Sequence, residues 1–239
     1  MIRIITLLSL FLVLGSSEGA QQRPKSFSHL SRLDVGEAKG YVYIYYNAKM
    51  SNILKQVVES SDHPGTALRA IETKIDNTAK DVHVIDYDAG PSGDPHFVIY
   101  RKEDNKLIQI GSFLGIELIV SGEGFVYVSG EADDYFNKRR KYSLKGGTLK
   151  EVAQPYYYVG LKTTNTQPID IYSDKTYRDK VAHLPAKSEI EVLLASKKNE
   201  YEYDYLIKSP YGLIGWTSFE GRYGQCGMEI IKGICFHGD

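Results

Sequence analysis

One acidic stretch of the chain carries residue types that could bind a metal ion. The segment DVHVIDYDAGPSGDPH places Asp86, Asp88 and Asp94 close together, and carboxylate oxygens are ligands that Ca²⁺ prefers. The spacing of the three carboxylates departs from the helix-loop-helix calcium pattern, and aspartate is also frequent in turns, where its side chain bonds the backbone. The segment therefore favours an aspartate-rich turn, with a calcium site at these three residues as the alternative.

The residues that common enzyme classes need are scattered along the chain. The six histidines include no H-x-x-x-H pair for zinc, and no cysteine precedes Cys226, which argues against a thiol peptidase. No G-x-S-x-G or Walker motif is present. We therefore expect a protein without catalytic residues or a cofactor. A hydrolase that uses two carboxylates is the alternative, because sequence does not show which carboxylates lie together in space.

The two cysteines, Cys226 and Cys235, stand near the C-terminus with eight residues between them. In an oxidising compartment such a pair forms a disulfide readily. Closing so short a loop is worth roughly 2–3 kcal/mol by the chain-entropy argument. The spacing is not the C-x-x-C of redox enzymes, so we expect a structural bond that staples the tail.

The first residues are typical of a secretory signal. An apolar run from Ile4 to Leu14 follows a single arginine and precedes small residues, and it is too short to span a bilayer. Residues 1–19 are predicted to be removed before Ala20, with a cut after Ala20 as the alternative. We expect a secreted or periplasmic protein that is soluble after cleavage, in which residues 20–38 form a polar leader.

The charge balance gives little support for a nucleic-acid partner. The chain has 29 basic and 30 acidic residues, a net charge of −1, whereas phosphate binding normally requires a basic field. The one basic cluster, at 137–143, closely follows an acidic run at 131–134. No further segment is long and apolar enough to predict a transmembrane helix.

The middle of the chain predicts an antiparallel sheet with one helix. Apolar residues spaced by three and four from Met50 to Val58 indicate an amphipathic helix at about 49–60, which Asn47 could cap. Segment 66–75 fits a helix or a strand, and the hairpin-like sequence that follows, with Asn77 in its turn, favours a strand. Three hairpins then follow, with turns at 103–105, 121–124 and 146–147. We expect a domain at 39–161 in which the helix covers an antiparallel meander.

A polar tract with two prolines, at 154–170, indicates a linker, and we place a domain boundary near Lys162. Five short strands in the next fifty or so residues indicate a small β-barrel at 162–239. This part resembles the bacterial Src-homology-3-like (SH3b-type) domains over residues 168–220. The matching residues are Ile171, Tyr172, Ser173, the segments 181–184 and 189–194, and Gly212 to Trp216 in GLIGW. The turn at Pro185–Glu189 lacks the glycine usual in the family.

The single tryptophan, Trp216, follows Gly215 in the last predicted strand. We expect the glycine to let the strand bend and the indole to close the end of the barrel. The resemblance also implies an aromatic rim that contacts a cell-wall peptide, a glycan or an envelope protein. Its candidate residues are Tyr172, Tyr177, Tyr205, Tyr211, Trp216 and Tyr223. Ordinary barrel filling, in a structural envelope protein without a ligand, is the alternative for these residues.

Overall fold

The computed structural model describes residues 27–36, 42–61, 64–89, 93–104, 106–131, 133–199, 202–219 and 226–237. The predicted signal segment and most of the predicted leader lie outside these residues. The described chain forms seventeen strands in three sheets, which confirms the mainly β prediction.

The first sheet has six strands in the order β1-β2-β8-β9-β10-β11. Their bounds are β1 Ser31–Asp34, β2 Tyr43–Tyr46, β8 Glu117–Val120, β9 Phe125–Gly130, β10 Lys138–Lys145 and β11 Thr148–Glu151. All neighbours are antiparallel except β2 and β8, which run parallel. The chain therefore leaves this sheet after β2 and returns to it beside the same strand.

The second sheet lies between these two strands in sequence. It is an antiparallel meander of five strands in chain order, which are β3 Asn52–Glu59, β4 Thr66–Thr73, β5 Val82–Asp88, β6 His96–Glu103 and β7 Lys106–Leu114. The strand prediction for 66–75 and the hairpin through Asn77 are confirmed by the β4–β5 pairing. The three later hairpins are confirmed as β6–β7, β8–β9 and β10–β11.

The first and second sheets pack face to face around one apolar core. Ile44 and Leu118 of the first sheet and Ile71, Ile85 and Phe97 of the second are all fully buried in this core. Burial of large aliphatic and aromatic side chains is the main stabilising term in such a sandwich. The meander is thus covered by another sheet.

The predicted helix at 49–60 is wrong. The segment forms the edge strand β3, and the described residues contain no α-helix. Two residues of the supposed apolar stripe are exposed: Ile53 is 45% exposed and Val57 is 75% exposed. These residues therefore do not pack against a core. Strand pairing with β4 wins because Ile53, Val57 and Val58 are β-branched.

Two local features explain why the helical spacing misleads. Lys55 adopts a φ of +51°, and the β3–β4 register shifts between Ile53 and Gln56. Such a bulge changes the two-residue repeat of a strand and brings apolar residues to helix-like intervals. Asn47 does cap a helical turn, since its side chain accepts a hydrogen bond from Lys49 N, but this turn is only the 3₁₀ segment Ala48–Met50.

The third sheet contains the C-terminal part of the chain in the order β12-β15-β16-β17-β13-β14. Its strands are β12 Tyr157–Thr164, β13 Ile169–Tyr172, β14 Lys180–Leu184, β15 Glu189–Lys197, β16 Tyr203–Lys208 and β17 Ile214–Ser218. All pairs are antiparallel. Part of the tract predicted as a linker is therefore strand β12, which pairs with β15 on both sides of Lys162.

A second apolar core lies under the third sheet. It is built on Ile171, Val192 and Ile207, and the C-terminal tail adds Ile231 and Ile234. The tail is held by the predicted disulfide, which the structure confirms between Cys226 and Cys235. Fixing the tail in this way keeps its two isoleucines on the core.

Asn165 directly follows the last residue of β12. It is buried, and its side-chain amide donates to the carbonyl oxygens of Gln167 and Pro185 at 2.6 and 2.8 Å. These two bonds tie the end of β12 to the turn before β15, because leaving the buried NH2 group unpaired would be costly. The polar residues that suggest a linker therefore have a structural role here.

The turn at Pro185–Glu189 offers a stabilising substitution. Lys187 is exposed and adopts a φ of +66°, a conformation that is strained for a residue with a Cβ atom. We expect Lys187→Gly to raise the free energy of unfolding by about 0.5–1 kcal/mol, since glycine adopts this φ freely. Urea denaturation measures the change.

Lys197→Gly is the matched control for this substitution. Lys197 is also an exposed lysine, but it lies at the end of strand β15, where glycine should lower stability. Equal losses in both variants would contradict the strain at Lys187.

Candidate functional site

Trp216 lies on the outer face of the third sheet. Its neighbours Gly215 and Thr217 are buried, and since side chains alternate along a strand, the indole points away from the core. The indole is absent from the buried residues of this core, so it does not fill a barrel interior as expected. The indole therefore packs against other residues on the solvent-facing side of the sheet.

Gly215 is explained by the close approach of strand β13. A Cβ atom at this position would lie 2.9 Å from both the Cβ atom of Ile171 and the carbonyl oxygen of Tyr172. Any larger residue would push β13 away from β17. The glycine thus allows the pairing that sets Tyr172 directly opposite Trp216.

The cross-strand register aligns apolar side chains across five strands. Tyr158 of β12 pairs with Leu194 of β15, Leu194 with Leu206 of β16, Leu206 with Trp216, and Trp216 with Tyr172. We call these five residues the outer row. Adjacent strands lie about 4.8 Å apart, so the row spans roughly 19 Å. Tyr158 is 58% exposed and the other four are half-buried.

One cation lies beside the indole. Lys175 Nζ is 5.0 Å from the centroid of the Trp216 ring and 5.4 Å from that of Tyr156, and the two rings are 5.8 Å apart. The ammonium also donates to Ser196 Oγ at 2.8 Å. Within the described part of the chain it has no carboxylate partner. The contact with two rings holds a positive charge over the outer row.

The other end of the loop that carries Lys175 is fixed by Tyr177. Its ring packs edge-on against Tyr172 with centroids 5.6 Å apart, and its hydroxyl donates to Asp204 Oδ1 at 2.6 Å. Burial, and then the hydrogen bond to this carboxylate, raise the pKa of Tyr177. The phenol therefore stays neutral and keeps the loop against the sheet.

The predicted rim is only partly brought together. Tyr172 and Trp216 are opposite each other, and Tyr177 contacts Tyr172. Tyr205 is buried in the core, because its strand alternation turns it inward. Tyr211 lies at the tip of the β16–β17 turn and is 90% exposed. Tyr223 is outside the described residues.

Sequence reasoning missed the members of the row that come from β12, β15 and β16. Tyr158, Leu194 and Leu206 join it only through register, and a bulge between Val192 and Leu194 decides which leucine faces outward. The alternation of Tyr203, Tyr205 and Ile207 with Asp204 and Leu206 was a signal that could have identified the outward face of β16.

Of the three predicted calcium residues, Asp86 is paired with an arginine. Asp86 is buried and accepts two hydrogen bonds from Arg69, each at 3.1 Å. A calcium site would have to displace this arginine. The cluster of three metal-ligating side chains among the described residues is elsewhere and comprises Cys226, Cys235 and His237, two of which form the disulfide.

Comparison of the chain with protein-family models, with curated proteins and with solved structures finds no match in any of the three. The resemblance to SH3b-type domains thus stays a prediction. Among the described residues, none belongs to a helix of the length and hydropathy needed to cross a membrane.

Proposed function

We propose that the chain is a non-enzymatic binding protein of the bacterial envelope, and that the outer row contacts the cell wall. The observation that carries the proposal is the continuous alignment of Tyr158, Leu194, Leu206, Trp216 and Tyr172 on the solvent side of the third sheet. Most sheet faces that meet water carry polar residues. A row of this kind has the composition of an interaction site, since Trp and Tyr are enriched in such sites.

The row fits an extended partner with an acidic group. Its width of roughly 19 Å matches about five or six residues of an extended peptide, and Lys175 offers a cation beside the indole without a carboxylate partner among the described residues. The peptide stems of peptidoglycan combine an extended backbone with free carboxylates. We therefore take peptidoglycan, in preference to an envelope protein, as the partner.

Two features support the finer fold proposal of an SH3-like barrel at the C-terminus. The strand segments predicted from the resemblance correspond to β13, β14, β15 and β17, and the last of these pairs with the first. This antiparallel pair brings the two ends of the unit together, while the edge strands β12 and β14 form no pair with each other in the described sheet. The disulfide is in turn compatible with the proposed extracytoplasmic location.

A pull-down with purified peptidoglycan sacculi tests the proposed function. We expect the wild-type protein to be retained and Trp216→Ala to bind at least about tenfold more weakly, because truncating a tryptophan at a binding hot spot costs about 2 kcal/mol or more. Lys175→Gln should weaken retention less and reduce its salt sensitivity.

Tyr211→Ala is the matched control, because Tyr211 is a highly exposed aromatic residue that is not part of the outer row. It should bind like the wild type. Native circular dichroism spectra of each variant exclude unfolding. Retention that survives Trp216→Ala, or that is lost equally with Tyr211→Ala, would overturn the proposal.

A further inference from the structure

A groove on the outer face of the first sheet lies beside one end of the outer row, because its lining residue Arg139 contacts Tyr158. It has a volume of about 290 Å³, and its lining includes Phe27, Ile119, Tyr127, Arg139, Lys141 and Gln154. Small-molecule sites occupy about 300–1,000 Å³, so the volume of this groove lies just below that range.

The floor of the groove is apolar and is built by the register of three strands. Ile119 of β8 lies opposite Tyr127 of β9, which in turn lies opposite Lys141 of β10. Phe27 packs onto Tyr127 from outside the sheet, with ring centroids 5.1 Å apart. These side chains offer a flat surface for an aromatic or acyl group.

The wall on the β10 side is formed by the segment that follows β11. Val152 N donates to Lys141 O at 2.8 Å, and Gln154 Nε2 donates to Arg139 O at 3.0 Å. The segment therefore runs along β10, and the side chains of Val152 and Gln154 line the groove. Both bonds hold the wall in place along β10.

Two cations of the lining, Arg139 and Lys141, face the groove. Their positions two apart on β10 put both on the outer face of the sheet. Lys141 Nζ lies 3.6 Å from the centroid of the Phe125 ring, and Arg139 lies 5.6 Å from that of Tyr158. Neither forms an ion pair with any residue in the described ranges. The one carboxylate of the lining, Glu117, accepts a hydrogen bond from Ser129 at 2.6 Å.

We infer that this groove binds a small organic anion with an apolar body, such as an aromatic carboxylate. The apolar floor of Ile119, Tyr127 and Phe27 takes the body, and Arg139 and Lys141 take the anionic group. The lining contains one carboxylate, Glu117, whereas a glycosidase mechanism uses two. We therefore interpret the groove as a binding site. The inference does not depend on the outer row.

The experiment compares 2-naphthoate with 2-naphthalenemethanol, its neutral counterpart, by isothermal titration calorimetry on the folded protein. We expect saturable one-to-one binding of 2-naphthoate and at least tenfold weaker binding of the alcohol. Lys141→Gln and Arg139→Gln should each lower the affinity for 2-naphthoate by about tenfold and leave that for the alcohol unchanged, which is the effect of one charge-assisted contact.

Lys145→Gln is the control on the same strand and the same face, beyond the lining of the groove. It should bind 2-naphthoate like the wild type. Equal affinity for the two ligands, absence of saturable binding, or an equal loss in Lys145→Gln would overturn the inference. Trp216→Ala should leave the binding of 2-naphthoate intact, and Lys141→Gln should still be retained by sacculi, so failure here is distinct from failure of the proposed function.

Discussion

Replacing Asp134 by alanine is expected to lower the free energy of unfolding by about 3–5 kcal/mol, the usual cost of breaking a buried ion pair from one side. Asp134 Oδ2 lies 2.9 Å from Lys138 Nζ, and both side chains are nearly buried. The ammonium also donates to Tyr203 Oη at 2.9 Å and lies 4.7 Å from the centroid of the Tyr157 ring. Without the carboxylate, a buried lysine charge remains with aromatic partners alone.

The double variant Asp134→Leu, Lys138→Met separates the pair itself from the cost of an unpaired charge. Replacing both partners by apolar residues is often neutral or stabilising, so this variant should recover most of the loss. Urea denaturation with a common slope measures all variants. Glu72→Ala, which breaks the exposed pair with Lys102 at 2.7 Å, is the control and should cost under about 1 kcal/mol. A loss of unfolding free energy as small as this in Asp134→Ala would show that the Asp134–Lys138 pair does not behave as a buried ion pair.

The Asp134–Lys138 ion pair lies where the segment between β9 and β10 contacts the third sheet. Asp134 and Lys138 flank Phe136, which belongs to the core of the third sheet although it lies between β9 and β10. Asp134 also pairs through its backbone with His237 in the disulfide-bonded tail. The Asp134→Ala variant should therefore loosen the third sheet first, and protease cleavage within 157–237 should increase before that within the sandwich.

The strands of the chain could be predicted where short-range rules determine the result. Gly146 and Gly147 adopt φ of +59° and +82° in the β10–β11 turn, as a tight turn between strands requires. The turn before β17 closes through Gly212 N and Ser209 O at 2.9 Å. In both cases the residue type and the local conformation leave few alternatives.

The error at 49–60 arose because a periodic pattern does not reveal what will cover it. Val57 is 75% exposed on an edge strand, whereas the helical interpretation required it to face a core. The outer row was hidden for a related reason. Its members come from five strands, and bulges at β12 and β15 set their alignment. A single sequence carries no signal for that register.

Lowering the pH from 7 to 4.5 is expected to reduce the free energy of unfolding by about 2–3 kcal/mol through His83 alone. His83 is 1% exposed, and its Nε2 has no hydrogen-bond partner among the described residues. Burial lowers the pKa of His83 from 6.5 to about 4, with the charge of Arg101 acting in the same direction and that of Asp81 against it. In the unfolded chain the imidazole takes up a proton near pH 6.5, and in the folded protein it does so only near pH 4.

The contribution of His83 is therefore complete above pH 6.5 and decreases as the pH falls towards 4, because only the unfolded chain is protonated in this window. His83→Gln has no titrating group at this position, so its stability should change less between pH 7 and 4.5, by the same 2–3 kcal/mol or so. His183→Gln is the control, since His183 is an exposed histidine hydrogen-bonded to Asp170 at 2.7 Å, and it should keep the steep dependence. Identical pH profiles for His83→Gln and the wild type would contradict this prediction. They would mean that burial does not lower the pKa of His83 in the folded protein.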